Sequence, residues 1–276
     1  MSYLDSLLFA QPLVLRLIII TVLMLLLAFV AWKKRALAVS GAIAAFFLGS
    51  LTMYMLGVSG LSVYLFFLIS ASLIAKLSRN VRGIDRIQKK GSCRDWAQVL
   101  SNGFIAAVAM ALYYFTGRAP FLAVFVATLA ESSADTWAGD IGILSKKPPF
   151  SILSFTPVRP GESGGISILG SAAGFASSVF FALLYLTLFD LKGWGGATAI
   201  IISSFSGMLF DSFLGATVQV HYYDEKEDLV TEKDEIDGRK LPVCRGFAFF
   251  DNDRVNLLSN IFTFILSLLL ATALIR

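Results

Sequence analysis

The 276-residue chain is 57% hydrophobic and only 15% charged, and its mean hydropathy is +0.75; this balance excludes an ordinary soluble domain and marks an integral membrane protein. The formal net charge of +4 comes from loops between apolar runs, so it reads as a topological signal and calls for no nucleic-acid partner. One histidine and two cysteines, with no CxxC pair, exclude His-based zinc or triad chemistry and predict free thiols at Cys93 and Cys244.

In chain order, eight apolar runs are each long enough to cross a hydrocarbon core of about 30 Å as a helix: 12–32, 36–57, 59–77, 97–116, 119–141, 166–189, 196–218 and 253–275. The fold expected is an all-α, polytopic helix bundle forming one membrane domain over 1–276. The first run carries no basic segment before it and ends in WKKR without a small-residue cleavage site, so no cleavable signal peptide is expected. With the amino terminus outside, every Lys and Arg except Arg16, Arg118, Lys192 and Arg276 falls on one side. The positive-inside rule then places both termini outside the cytoplasm and the long loops within it.

Polar residues inside the runs gather toward that same side. The fifth run ends in ESSADTWAGDIG, which holds Glu131, Asp135, Thr136 and Asp140. In the seventh, Ser203, Gly207, Asp211 and Gly215 recur every four residues and share one helix face. The eighth opens FDNDRVNLLSN, with Asn252, Asn256 and Asn260 as a stripe; Gln98 and Asn102 do likewise in the fourth. Taken singly, the Asn and Ser residues also read as interhelical hydrogen-bonding partners. Two acids, Asp135 and Asp211, converging without a buried Lys or Arg beside them do not. Ionised groups at such depth cost about 2.5–3.5 kcal/mol on insertion scales and usually carry function, and hard oxygen ligands of this kind suit Mg²⁺.

The loop after the fifth run, KKPPFSILSFTPVRPGESGGISILG, brings Gly161, Ser163, Gly164, Gly165 and Ser167 to the start of the sixth helix. A Gly-rich turn at a helix amino terminus suits phosphate, although this one matches neither the Walker nor the dinucleotide pattern, and taken alone it reads better as a helix cap followed by a Gly170, Gly174, Ser178 packing face. Beside the acids, it points to phosphoryl or nucleotidyl transfer to a lipid head group. The insertion at 219–250 reads as a short hairpin turning at Asp237-Gly238, its mixed charges as a solvated face, and His221 as incidental.

Five runs in order, RDWAQVLSNG, SSADTWAGDIG, PGESGGISILG, FDSFLGATVQ and FDNDRVNLLSN, resemble the transmembrane protein 19 family, a former domain of unknown function that includes plant phytyl-phosphate kinase. The motifs run from about Arg94 to Asn260 within a core of 94–276, and the first three helices, 1–77, carry little of the resemblance. The resemblance implies a kinase that adds a second phosphate to an isoprenoid monophosphate. Its more distant similarity to the CTP-using lipid kinases and the CDP-diacylglycerol synthases favours CTP as donor over other nucleoside triphosphates. On that basis Asp135 and Asp211 are the expected catalytic and Mg²⁺-binding acids, with Glu131, Asp253 and Asn256 as supporting ligands. Arg94, Arg159 and Arg254 would neutralise phosphates. Asn102, Thr136, Ser163, Gly164, Gly165 and Ser167 would bind the nucleotide or phosphate. The partners expected are the lipid substrate, the nucleotide and membrane lipids; a homodimer through a small-residue face is compatible with the sequence but not demanded by it. The rival readings are a CTP-dependent lipid cytidylyltransferase built from the same parts and a cation-coupled transporter or flippase.

Overall fold

The computed structural model describes residues 2–78, 87, 93–189 and 193–275. Arg79, Arg82, Arg86, Lys89 and Lys90 of the basic loop, together with Lys192 and Arg276, lie outside the described residues. Eight helices are described: α1 (Tyr3–Phe9), α2 (Leu13–Lys33), α3 (Val39–Ser78), α4 (Trp96–Thr116), α5 (Ala119–Gly142), α6 (Ile168–Leu188), α7 (Trp194–Thr217) and α8 (Asn252–Leu274). Six of them, α2, α3, α4, α6, α7 and α8, are long and apolar enough to cross a membrane.

Local sequence fixes where the helices begin. Asp95 and Gln98 form a reciprocal capping box on α4, Ser167 caps α6 by accepting from the Gly170 N–H, and Asp251 caps α8; each satisfies backbone donors that the first turn would otherwise leave unpaired. Gly117 ends α4 in the left-handed conformation, which glycine adopts without a Cβ penalty.

The expected second and third runs are one 40-residue element, α3, broken at Gly57. A straight helix of that length would measure about 60 Å, twice the hydrocarbon core. Instead the chain reverses. Leu48 and Tyr64 both abut the Gly103 position, Gly49 faces Leu61, and the Tyr64 hydroxyl donates to the Gly103 carbonyl (2.8 Å). Gly57 has φ 69° and ψ −156°, a region open essentially to glycine alone. Asp5 of α1 braces this reversal by accepting from the Ser59 N–H (3.1 Å) and hydroxyl (2.6 Å).

α5 is the hub of the bundle and packs against α3, α4, α6, α7 and α8. Every residue from Leu122 to Ala134 is buried. Small residues permit the close approach: a Cβ at Gly170 would stand 2.6 Å from the Ala138 carbonyl oxygen, and one at Gly174 would stand 3.1 Å from that of Ala134. By contrast α2 buries only Ile20 and Met24 and turns Leu15, Ile18, Val22, Leu25 and Phe29 outward, as a lipid-facing helix should.

Helix ends sort onto two faces. On one, the start of α3 meets the start of α4 through Ala38 N–H to Arg94 O (2.9 Å) and Arg94 N–H to Ala36 O (3.1 Å), and the end of α3 meets the end of α5 where Ser78 donates to Asp140 Oδ1 (3.0 Å). On the other, Gly195 meets Leu274 and Tyr185 meets Gly196. All of the short strands lie on the first face. β1 (Phe150–Ser151) pairs antiparallel with β2 (Gly165–Ile166), closing the loop between α5 and α6. In the insertion, β3 (His221–Asp224), β4 (Leu229–Thr231) and β7 (Val243–Arg245) form an antiparallel sheet of order β4-β3-β7. A hairpin of β5 (Glu235–Ile236) and β6 (Arg239–Lys240) turns at Asp237 and Gly238, both at positive φ; the expected turn is there, inside a larger sheet that the sequence did not suggest.

Candidate active site at one end of the bundle

The last turns of α5 project Glu131, Asp135 and Asp140 toward the loop-bearing face, and α7 presents Asp211 beside them. Asp135 lies in electrostatic range of Glu131, Asp140, Asp211 and Glu232. Glu131 is 1% exposed and Asp211 8%. Their partners are neutral donors, from α8 for Asp211 and from α5 itself for Glu131. Ser259 of α8 donates to Asp211 Oδ2 (3.0 Å), as does the Asn256 amide (3.2 Å) in the orientation that satisfies its neighbours. Asn260 donates to Ser132 Oγ (3.0 Å), and Ser132 donates to Glu131 Oε2 and to the Asn102 carbonyl (both 3.3 Å). Ser177 of α6 ties to Ser133 at 2.9 Å. The polar residues of four helices thus interlock around α5 as interhelical hydrogen bonds.

Two connected cavities open from this cluster. The larger, about 970 Å³, runs past Gln98, Ser101, Thr136, Asp140, Asp253 and Arg254. The smaller, about 160 Å³, is walled by the turn from Pro160 to Ser167, the first residues of α6, and Asp211. Asp135, Gly139, Gln219, Glu232 and Asn252 line both. Carboxylates of α5 and α7 therefore face the amino-terminal end of α6 across a narrow gap. The turn is locked in place: Gly164 has φ +84°, and a Cβ there would stand 2.5 Å from the Ala216 Cβ. Some of its donors are already used, since the Gly165 N–H bonds the Glu162 carbonyl and the Gly170 N–H bonds Ser167 Oγ.

The insertion completes the site. Glu232 accepts from Ser163 Oγ (2.7 Å) and Gln219 Nε2 (2.8 Å), joining the sheet to the Gly-rich turn. Beneath it, Arg245 donates to the Ser163 carbonyl (3.3 Å), pairs with Glu162 (3.5 Å) and meets His221 Nε2 (3.2 Å). Burial, and then the Arg245 charge, push the His221 pKa down to about 4, so His221 is a neutral strut within the sheet. Neither Glu232 nor Gln219 was singled out by sequence. Glu232 sits in a run of mixed charges with no periodicity, and Gln219 is one polar residue at the end of an apolar helix.

The expected phosphate-neutralising arginines separate. Arg94 stands at the start of α4 beside Asp140; burial draws its pKa below the usual arginine value while the Asp140 charge opposes the pull. Arg254 lines the large cavity and pairs with Asp251 at 3.2 Å. Arg159 points away: it is exposed, pairs with Asp228 at 3.4 Å and lines neither cavity. Thr136 lines the large cavity and donates to the Ser132 carbonyl, while Asn102 donates to its own helix at Gln98 O (2.8 Å). Among the described residues no three His, Cys, Asp or Glu side chains converge as a ready-made metal cage. The donor set still fits a hard cation that takes one or two carboxylates and completes its shell with water and phosphate.

The architecture defines a helical integral membrane protein with an acid-lined cleft at one end of its bundle. The family described as "Integral membrane protein DUF92" matches residues 22–264, and the chain belongs to that family, as its five motifs indicated. The chain is 28% identical to Protein PGR of Arabidopsis thaliana over 273 residues, covering 90% of this chain and 93% of that protein. It is 29% identical to the uncharacterized membrane protein MJ0933 of Methanocaldococcus jannaschii over 202 residues, 73% of this chain and 82% of the relative. Identity to Protein VTE6, chloroplastic, of Arabidopsis thaliana is 26% over 230 residues, 81% of this chain and 62% of the relative. No solved structure matches.

Proposed function

We propose that the chain is a membrane phosphotransferase that moves the terminal phosphate of a nucleoside triphosphate, CTP favoured, onto an isoprenoid monophosphate. The observation that carries this reading is the opposition, across one gap, of the Asp135 and Asp211 carboxylates and the Gly-rich amino-terminal turn of α6. The resemblance to the family that includes plant phytyl-phosphate kinase supplies the substrate class. In the reaction a phosphate oxygen of the lipid attacks the terminal phosphorus of the nucleotide, the bond to the bridging oxygen breaks, and the nucleoside diphosphate leaves. Side chains have little covalent work in such a transfer, so positioning and charge do most of it.

Asp135 and Asp211 would hold Mg²⁺ in this reading, and Glu131, Asn256 and Asp253 would support them. A bound Mg²⁺ would draw charge from the phosphate oxygens and bring donor and acceptor together. The end of α6 and the Ser163 to Ser167 turn face the nucleotide phosphates, where the helix dipole favours negative charge, while Arg94 and Arg254 flank the acceptor. Serine and asparagine hold Glu131 and Asp211 in place without forming an ion pair, so a cation would have no Lys or Arg partner of theirs to displace. The site face is assigned to the cytoplasm, where the nucleotide is, and both termini to the opposite side.

The test is product analysis by mass spectrometry on purified protein with Mg²⁺, CTP or ATP, and phytyl, farnesyl or geranylgeranyl monophosphate. Lipid diphosphate with released nucleoside diphosphate is expected. A CDP-lipid with pyrophosphate would make the protein a cytidylyltransferase. Absence of turnover with every pair, together with counterflow in proteoliposomes, would overturn the enzymatic reading in favour of transport.

A further inference from the structure

The three amino-terminal helical stretches lie outside the catalytic motifs, yet they build a third cavity. An apolar groove of about 310 Å³ runs between α2, the two halves of α3, and α4, within the roughly 300–1,000 Å³ typical of small-molecule pockets. Small side chains leave the room for it, among them Ala28, Ala31, Ala45 and Gly49. From Lys34 to Met24 it follows α2 for about 15 Å at 1.5 Å per residue, running from the site face into the bundle. Its polar residues gather at that face, where Arg94, Lys34 and Gln98 form the rim.

Two observations single this groove out from an ordinary gap between lipid-facing helices. Gln98 lines both the groove and the large acid-lined cavity, so the groove's mouth and the cleft share a wall. Arg94 Nη1 is fully buried and has no hydrogen-bond acceptor among the described residues, while the guanidinium lies 5.7 Å from the Phe67 ring centroid at the groove's edge. A desolvated guanidinium N–H without an acceptor is costly, and a phosphate oxygen is its strongest natural partner. We infer that this groove seats the single hydrocarbon chain of the isoprenoid monophosphate, with its phosphate on Arg94 at the edge of the cleft.

The inference rests on the proposed function only for the nature of the head group. It divides the labour of the bundle, with the first three helical stretches holding the acceptor while α5 to α8 hold the donor. A two-chain phospholipid would have to leave one chain outside a cavity of this size.

The experiment uses the full-length protein in detergent and a farnesyl monophosphate analogue with a diazirine at the end of its chain. It is irradiated without nucleotide, and labelled peptides are mapped by mass spectrometry. Label is expected in the stretches 24–31, 45–49 and 61–68. Unlabelled farnesyl monophosphate should displace the probe about tenfold better than farnesol, the difference a charge-assisted hydrogen bond supplies. Arg94→Gln should erase that preference, and Ala45→Phe should reduce labelling by filling the groove. The wild-type competition stands by itself if either variant fails to fold. Label confined to α7 and α8, equal displacement by alcohol and phosphate, or displacement by a phospholipid would overturn the inference. Turnover measured on the same preparation separates the two claims: kinase activity with label elsewhere removes the groove alone, and groove labelling without turnover removes the kinase alone.

Discussion

Asp135 and Asp211 carry the reading most directly because removing a charge there changes chemistry before it changes packing. Asparagine keeps the shape and the ability to accept a hydrogen bond. Asp135→Asn and Asp211→Asn should each lower turnover by at least about 10²-fold, the scale of losing one preorganised electrostatic partner, while membrane insertion, read by yield and gel filtration, stays normal. Near-normal rates in both would remove these acids from the chemistry. Gly164 makes a steric prediction instead. Its φ of +84° and the 2.5 Å approach to Ala216 mean that Gly164→Ala should cost about 1–3 kcal/mol, the range for overpacking, seen as a lower melting temperature in detergent. Gly238 shares a positive φ but has nothing within 4 Å of a Cβ, so Gly238→Ala should cost only the backbone strain, about 1–2 kcal/mol.

At the scale of elements, the insertion departs most from what sequence suggests. The apolar runs and the acid spacing on α5 and α7 were legible because burial and helix period leave a repeating mark. The Asp237-Gly238 turn was legible from its two residues. The sheet around it was not, because strands of two to four residues among mixed charges have no period to read. That is why Glu232 reads as solvated although it bonds Ser163, and why Arg159 reads as a phosphate ligand although Asp228 holds it outside. The strut beneath the turn gives a pH signature. The His221 pKa falls from 6.5 to about 4 on folding, so between these values the unfolded insertion takes up a proton that the folded one refuses. Stability from this group is complete above pH 6.5 and declines as pH falls toward 4, by at most about 1.4 kcal/mol per pH unit. Limited proteolysis of the insertion across that window should show the decline in wild type and a shallower one in His221→Gln; parallel curves would contradict it.

For the whole molecule, the separation of helix ends onto two faces makes orientation testable. Cys93 and Cys244 are both free and exposed, and both lie on the site face. A membrane-impermeant thiol reagent added to intact cells should leave them unmodified and label them after permeabilisation. Labelling from outside would reverse the assigned sidedness and move the cleft away from cytoplasmic nucleotide.

The placement of α5 at the hub also bears on how the chain is made. Its acids emerge from the ribosome before α7 and α8, which carry Asp211, Ser259 and Asn260, exist. A nascent chain stopped after α5 holds Glu131 and Asp135 with only α3 and α4 beside them, and most of the neutral donors that settle them are still untranslated. Docking of the later helices therefore supplies the donors these acids lack, and the surface that would perform the reaction is also the one by which a half-made molecule differs from a finished one.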